Sequence, residues 1–421
     1  MWNTIFDKAI GQIIREGTLE VTMPDGQKRR YGDGTGERVH IRLKDPDLPR
    51  RIVLSPDLGV GEAYMNGQLE VENDDLRAFL TVAIRNSSHR HKLWWQQIVN
   101  EVRRTLRRVQ QWNPASRARK NVAHHYDLSG ELYDLFLDAD KQYSCGYFPR
   151  PDMTLEEAQE AKKAHIANKL LIEPGMRVLD IGCGWGGMGL TLARDYGAKV
   201  LGVTLSEEQH KIACARAKAE GLEDRIEFRL TDYRNVTGTF DRIVSVGMFE
   251  HVGAPHYREY FRHVYDKLAP DGVALIHTIG RCGPPGATSP WIAKYIFPGG
   301  YIPAMSEMMA AVEKEDLTAT DVEVWRIHYA ETLKHWHERF AANIDRAREI
   351  YDERFCRMWR YYLIACELTF RYSPQVVFQV QLSHDKQAVP LTRDYLYPSG
   401  KAAAPAGKAN SDKKPVAHAA E

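Results

Sequence analysis

Residues 178–187 read VLDIGCGWGG, and how this stretch is read decides the fold. RVLDI (177–181) is a strand candidate with Asp180 at its end; Gly182, Gly184, Gly186 and Gly187 follow, ahead of a helical stretch. Glycines there permit a tight turn and bring backbone close to a ligand, and the helix behind them offers its N-terminus. The loop satisfies G-x-G-x-x-G through Gly182, Gly184 and Gly187, which suits a dinucleotide. It equally satisfies D-x-G-x-G-x-G, the variant that holds the amino-acid part of S-adenosylmethionine. The second strand ends in Thr204, where an NAD site would offer its ribose an acid, although Glu207 and Glu208 follow three residues later. The methyl-donor reading leads, and a dehydrogenase stays open as its rival.

Outward from the loop, strand candidates recur at KVLGV (199–203), RIEFRL (225–230), DRIVSV (241–246) and GVALIHT (272–278), separated by helical stretches. That alternation predicts an α/β fold whose parallel sheet has helices on both faces. DVEVWRIHY (321–329) and QVVFQVQLS (375–383) read as two more strands around a helical region at about 330–370. Seven strands with a final hairpin-like pair make a Rossmann-like methyltransferase sheet. Between Gly283 and Met309 an insertion carries Trp291, Tyr295, Phe297, Tyr301 and Met305 among Pro and Gly. It suits either the wall of an acyl-chain channel or an ordinary packed loop.

The rest of the 421-residue chain divides by composition. Residues 1–84 suggest a small α+β domain, for lipid binding or dimerisation. It opens on an amphipathic helix (MWNTIFDKAIGQIIREG, too interrupted by charge for a signal peptide) and continues with strand-like RVHIRL and RIVLS and glycine turns at 32–36. Residues 85–120 hold ten Lys/Arg against one acid, Glu101. Trp94, Trp95, Ile98, Val102, Leu106 and Val109 recur there at helical spacing, with Arg103, Arg104, Arg107 and Arg108 elsewhere on the wheel. The stretch reads as a linker helix packed on its neighbour, as a basic helix drawn to anionic lipid, or as both. Residues 121–397 form the catalytic domain, and 398–421 lack core-forming residues and are expected to be disordered. A hydrophobic share of 43%, a charged share of 27% and a net charge of +1 are ordinary for a globular protein and do not suit charge-driven nucleic-acid binding. Six unpatterned cysteines suggest neither a metal framework nor disulfides, hence a reducing, cytoplasmic setting. No apolar run is long enough to cross a bilayer.

Several blocks are far more specific than the glycine loop: HHYDLSGELYDLFLD (124–138), YSCGYF (143–148), GVTLSEEQ (202–209), DYR (232–234), DRIVSVGMFEHVG (241–253), LIHTIG (275–280) and YIFPGGYIP (295–303). Together, over about 120–385, the chain closely resembles the cyclopropane-fatty-acyl-phospholipid synthase family and its mycolic-acid-modifying relatives. GEAYMNGQLEVE (61–72) is similar to the branch that acts on phospholipids. The resemblance implies a peripheral enzyme at the inner face of the cytoplasmic membrane, acting on unsaturated acyl chains of phospholipids, with homodimerisation left open. It implies that Tyr143 and Ser144 touch the methionine carboxylate, Gly182, Gly184 and Gly186 admit the cofactor, Thr204 and Gln209 bind the ribose, and Asp232 and Tyr233 flank the adenine. Asp180 either joins them or fixes its own loop.

A cis double bond is a poor nucleophile, so holding it in line with an electrophilic sulfonium methyl is much of the task. Methyl transfer leaves a carbocation, and ring closure needs a base in a water-poor site. The resemblance implies bicarbonate as that base, held by Cys145, Glu250, His277 and Tyr329 with the backbone near Ile279. Each has a plainer alternative. His251 is a rival to Glu250, although helical direction is expected to turn it away; Cys145 suits packing. Cys366, matching a cysteine sometimes assigned as catalytic in the family, lies on an apolar helix (YYLIACELTF) that suits packing equally well. A buried Tyr329 needs a hydrogen-bond partner in any case.

Overall fold

The computed structural model describes residues 1–87, 111 and 130–397. Most of the basic 85–120 stretch, the first six residues of the 124–138 block and the 398–421 tail lie outside the described residues.

Near the N-terminus, strands β1 (Thr18–Thr22), β2 (Lys28–Tyr31), β3 (Arg38–Leu43) and β4 (Leu69–Val71) form a sheet ordered β2-β1-β3-β4. Helices Trp2–Ile13, Leu48–Leu54, Pro56–Met65 and Leu76–Arg85 accompany it. RIVLS, read from sequence as strand-like, lies mostly in the Leu48–Leu54 helix. A short apolar run has no decisive period, and Pro49 near the helix start presets the backbone angle there.

The larger sheet contains β5 (Arg177–Ile181), β6 (Lys199–Thr204), β7 (Ile226–Leu230), β8 (Phe240–Val246), β9 (Leu268–Arg281), β10 (Thr318–Trp325) and β11 (Gln375–Ser383). Its order is β10-β11-β9-β8-β5-β6-β7, as the α/β reading expects. β5 to β9 run parallel, while β11 lies antiparallel between β9 and β10. Val178 to Ile181 of β5 are all buried, as suits a parallel strand covered on both faces. Chain order reverses between β5 and β8, which opens a crevice beyond the carboxyl ends of those strands. The segment 321–329 is not all strand: β10 stops at Trp325, and a helix, His328–Ala342, takes in Tyr329. The helical region then continues as Ile344–Ile350 and Glu353–Tyr372.

Edge strand β10 has an inverted face. Glu323 binds His165 (2.7 Å) and Lys169 (2.6 Å) on the helix beneath, while Val322 and Val324 are exposed. The N-terminal sheet and its helices dock on the larger unit through a shared apolar cluster that includes Phe79, Trp291, Trp359 and Leu363. Trp291 lies against Gly61, where a Cβ would strike its ring, and its indole N–H meets Met65 Sδ at 3.2 Å. Arg77 grips the buried carboxylate of Glu367 with two bonds of 2.9 and 2.7 Å. Among the described residues no helix is long and apolar enough to cross a membrane.

Candidate active site

The crevice at the carboxyl ends of β5, β6 and β8 is lined by Gly182, Gly184, Thr204, Gln209, Asp232 and Tyr233, six of the residues expected to hold a cofactor. Gly182 has φ +83°, and an added Cβ would stand 2.8 Å from Met248; nothing lies within 4 Å of the side where a Cβ of Gly184 would be. The Thr204 hydroxyl donates to Gln209 Oε1 at 3.0 Å and accepts the Ser206 N–H at 3.2 Å, which shapes the start of the helix Glu207–Ala219. Burial works to raise the Asp232 pKa, but hydrogen bonds from Arg234 (2.6, 2.9 and 3.0 Å) hold its carboxyl below the ordinary range. Tyr233 meets Tyr260 edge-on at 5.5 Å.

The remaining cofactor candidates lie behind this lining. Gly186 adopts φ +87° and packs beneath Phe228, so its task is the turn itself. Asp180 is buried, its Oδ2 lacks a hydrogen-bond partner among the described residues, and burial pushes its pKa up to about 7. Tyr143 and Ser144 sit on a strap, residues 138–146, laid beside the loop. Tyr143 stacks on Trp336 (5.1 Å), and its hydroxyl meets that of Tyr362 at 2.9 Å. Ser144 Oγ accepts from Lys162 at 2.8 Å.

The candidates for base chemistry come from four segments. Glu250, just past β8, accepts the Ile279 N–H at 2.6 Å on Oε1, while Oε2 has no partner among the described residues. Burial pushes its pKa up to about 7, against the pull of that N–H, of its own backbone N–H and of the Thr278 hydroxyl. His277 lies two residues before Ile279 on β9, its Nδ1 3.1 Å from the Gln379 amide and its ring edge-on to Trp325 at 5.2 Å. Burial holds it well below the ordinary imidazole range, hence neutral at pH 7. Cys145 is buried, and burial raises its thiol; the neighbouring Gly146 N–H donates to Thr332 Oγ1 at 3.0 Å, one turn along the helix from Tyr329. Tyr329 packs on Phe370 (4.9 Å). The Cys366 thiol is pushed up to about 12 by burial, which suits packing rather than nucleophilic use.

His251 corrects the sequence reading. It does not turn away: it lines the crevice beside Met248 and Val252. Residues Phe249–His251 form a 3₁₀ turn, whose three-residue period stacks position 251 over 248. Burial lowers its pKa to about 4, so it is a neutral imidazole. Sequence reasoning also missed Lys162, wholly buried on the helix Leu155–Leu170 with its pKa pushed down to about 8 by burial. Its position was the available signal, since it follows the buried Leu155 and Ala158 by seven and four residues on one helix face.

The residues present fit both groups that the resemblance implies. Gly184 leaves open space beside the loop, and Glu250 Oε2 is an orphaned acceptor beside a backbone donor already in use.

Comparison with known proteins adds an independent line. The family model described as mycolic acid cyclopropane synthetase matches residues 114–380, and one for a domain of unknown function matches 2–92. The chain is 40% identical over 378 residues to the cyclopropane-fatty-acyl-phospholipid synthase of Escherichia coli (strain K12), covering 86% of this chain and 95% of that one. It is 35% identical to the tuberculostearic acid methyltransferase of Mycobacterium tuberculosis, with 86% of each chain covered. The crystal structure of mycolic acid cyclopropane synthase CmaA1 complexed with SAH and CTAB superposes with a TM-score of 0.61 at 34% identity, over 65% of this chain and 99% of that one.

Proposed function

Since the chain belongs to the mycolic acid cyclopropane synthetase family of S-adenosylmethionine-dependent methyltransferases, we propose that it adds a methylene group to the cis double bond of unsaturated acyl chains in membrane phospholipids, forming a cyclopropane ring. The observation that carries this reading is the buried Glu250, fixed by the Ile279 N–H with one oxygen and open at the other.

S-adenosylmethionine supplies the electrophilic methyl when bound. Gly182 and Gly184 admit it to the loop, Thr204 and Gln209 take its ribose, Asp232 and Tyr233 flank its adenine, and Tyr143 and Ser144 meet its carboxylate. Transfer to one alkene carbon leaves a cation on the other. A wall of neutral groups, His277, His251, Tyr329 and the Cys145 thiol, excludes water there. Bicarbonate held among Cys145, Glu250, His277, Ile279 and Tyr329 would supply the base that takes the proton from the new methyl. Glu250 then acts as its orienter, its Oε2 accepting a hydrogen bond from the base. Cys366 serves packing in this scheme.

A second reading, a methyl or methylene branch in place of a ring, is favoured by the 35% identity to tuberculostearic acid methyltransferase. Both readings place the enzyme in the cytoplasm at the inner membrane face, with residues 1–84 binding lipid or a second copy and the basic 85–120 stretch drawn to anionic headgroups. Expression in a host without such lipids, followed by proton NMR of its phospholipids, tests the product. Upfield cyclopropyl protons support ring closure, branched methyl signals favour the second reading, and unchanged lipids defeat both. Assays on anionic against neutral vesicles test the membrane part, and equal rates on the two would remove it.

A further inference from the structure

The helix Leu155–Leu170 carries three lysines that are all but inaccessible to solvent: Lys162, Lys163 and Lys169. Two have acidic partners. Lys169 binds Asp321 (3.3 Å) and Glu323 (2.6 Å), and Lys163 binds Asp140 and Glu160, both at 2.7 Å. Lys162 forms no ion pair among the described residues; its ammonium donates to Gln142 Oε1 and to Ser144 Oγ, neutral groups both. The acids nearest in chain to those acceptors are engaged elsewhere. Asp138 receives the backbone N–H groups of Asp140 and Gln142, and Asp140 receives Lys163 and Arg216. Coulombic attraction from Asp138 and Asp140 offsets part of the burial cost of the Lys162 charge, and the same ammonium acts on the buried Asp180, while its hydrogen bonds go to the strap alone.

The groups that Lys162 holds belong to the strap beside the glycine loop. Gln159, on the same helix, donates to the backbone oxygens of Gln142 (3.2 Å) and Ser144 (2.9 Å). Gln142 in turn donates to Asp140 at 2.9 Å, and both side chains press on Gly187, the first residue of the helix behind the loop, where no Cβ would fit. We propose that Lys162 is a positioning residue for the amino-acid end of the cofactor: it fixes Ser144 and Gln142 against the loop, so that Ser144 meets the ligand's carboxylate. This rests on reading the crevice as an S-adenosylmethionine site, and it adds the cation that none of the expected site residues supplies.

Calorimetry with two probes tests it on the full chain. S-adenosylhomocysteine has the amino-acid end, whereas methylthioadenosine shares its adenosine and sulfur but lacks that end. Lys162→Met is expected to weaken S-adenosylhomocysteine by about tenfold or more, that is about 1.4 kcal/mol, and to leave methylthioadenosine within about twofold. Equal affinity of wild type and variant for S-adenosylhomocysteine overturns the proposal, and so does a parallel loss of both probes, which marks a merely structural lysine. If Lys162→Met loses its cooperative melt, Lys162→Gln is read by the same criteria, and loss of the melt in both assigns the lysine to the fold and overturns the proposal. Wild type that binds neither probe defeats the reading of the crevice itself, a result distinct from the other three.

Discussion

The two halves of the candidate site are built by different means. The half formed by Gly182, Gly184, Thr204, Gln209, Asp232 and Tyr233 comes from successive strand ends of one parallel sheet. Its hydrogen bonds are local, as between Thr204 and Gln209 or Asp232 and Arg234. The other half draws Cys145, Lys162, Glu250, His277 and Tyr329 from segments up to 184 residues apart, none of them in that lining, and burial shifts the pKa values of the first four. Both halves are covered, since Thr204, Gln209 and Asp232 are buried too. Under the proposed mechanism the second half shelters a cation and a base, a task that calls for the exclusion of water seen in its buried groups.

Substitutions break the contrast in order of size. Glu250→Gln is expected to lower turnover by about 100-fold or more, the range for loss of general-base catalysis once the base is no longer oriented, with cofactor affinity little changed. Turnover within a few-fold of wild type would remove Glu250 from the site. The same variant reports on burial. A carboxyl whose pKa rises from 4.5 unfolded to about 7 folded costs stability as pH climbs between those values, by about 3 kcal/mol once both states are ionised. Denaturant melts from pH 4 to pH 8 should therefore show a shallower decline in Glu250→Gln than in wild type; parallel declines would mean that Glu250 titrates normally.

On the binding half the effects are smaller and fall on affinity. Gly182→Ala forces a side chain to φ +83° and toward Met248, a strain of ~1–3 kcal/mol, read as weaker S-adenosylhomocysteine binding in calorimetry with the melt largely kept. Thr204→Val removes the hydroxyl that donates to Gln209 and accepts the Ser206 N–H, with an expected loss of about 1 kcal/mol or roughly fivefold in the same titration. A loss of turnover at saturating cofactor in either variant would blur the contrast between the halves.

Legibility followed the same division. The glycine loop and the strand cores could be read because each is a short run whose period or residue type is decisive, so β5 and β11 fall on the expected residues. RIVLS and the end of 321–329 were misread because a few apolar residues suit helix and strand alike until neighbours choose between them. His251 was misjudged because an α-helical direction was assumed where the chain makes a 3₁₀ turn. Lys162 went unread because a lysine counts as a surface residue until something is seen to cover it.

Residue order alone therefore carries the α/β class, the methyl-donor loop and the identity of the groups at successive strand ends, since these depend on contacts within a few residues and on a period. It does not carry which charges are buried. That Glu250 keeps one oxygen open while Ile279 holds the other, that His277 is neutral, and that Lys162 lies wholly buried behind Ser144 are outcomes of which segments cover one another. Burial sets the cost of charge, and only the packed chain decides burial.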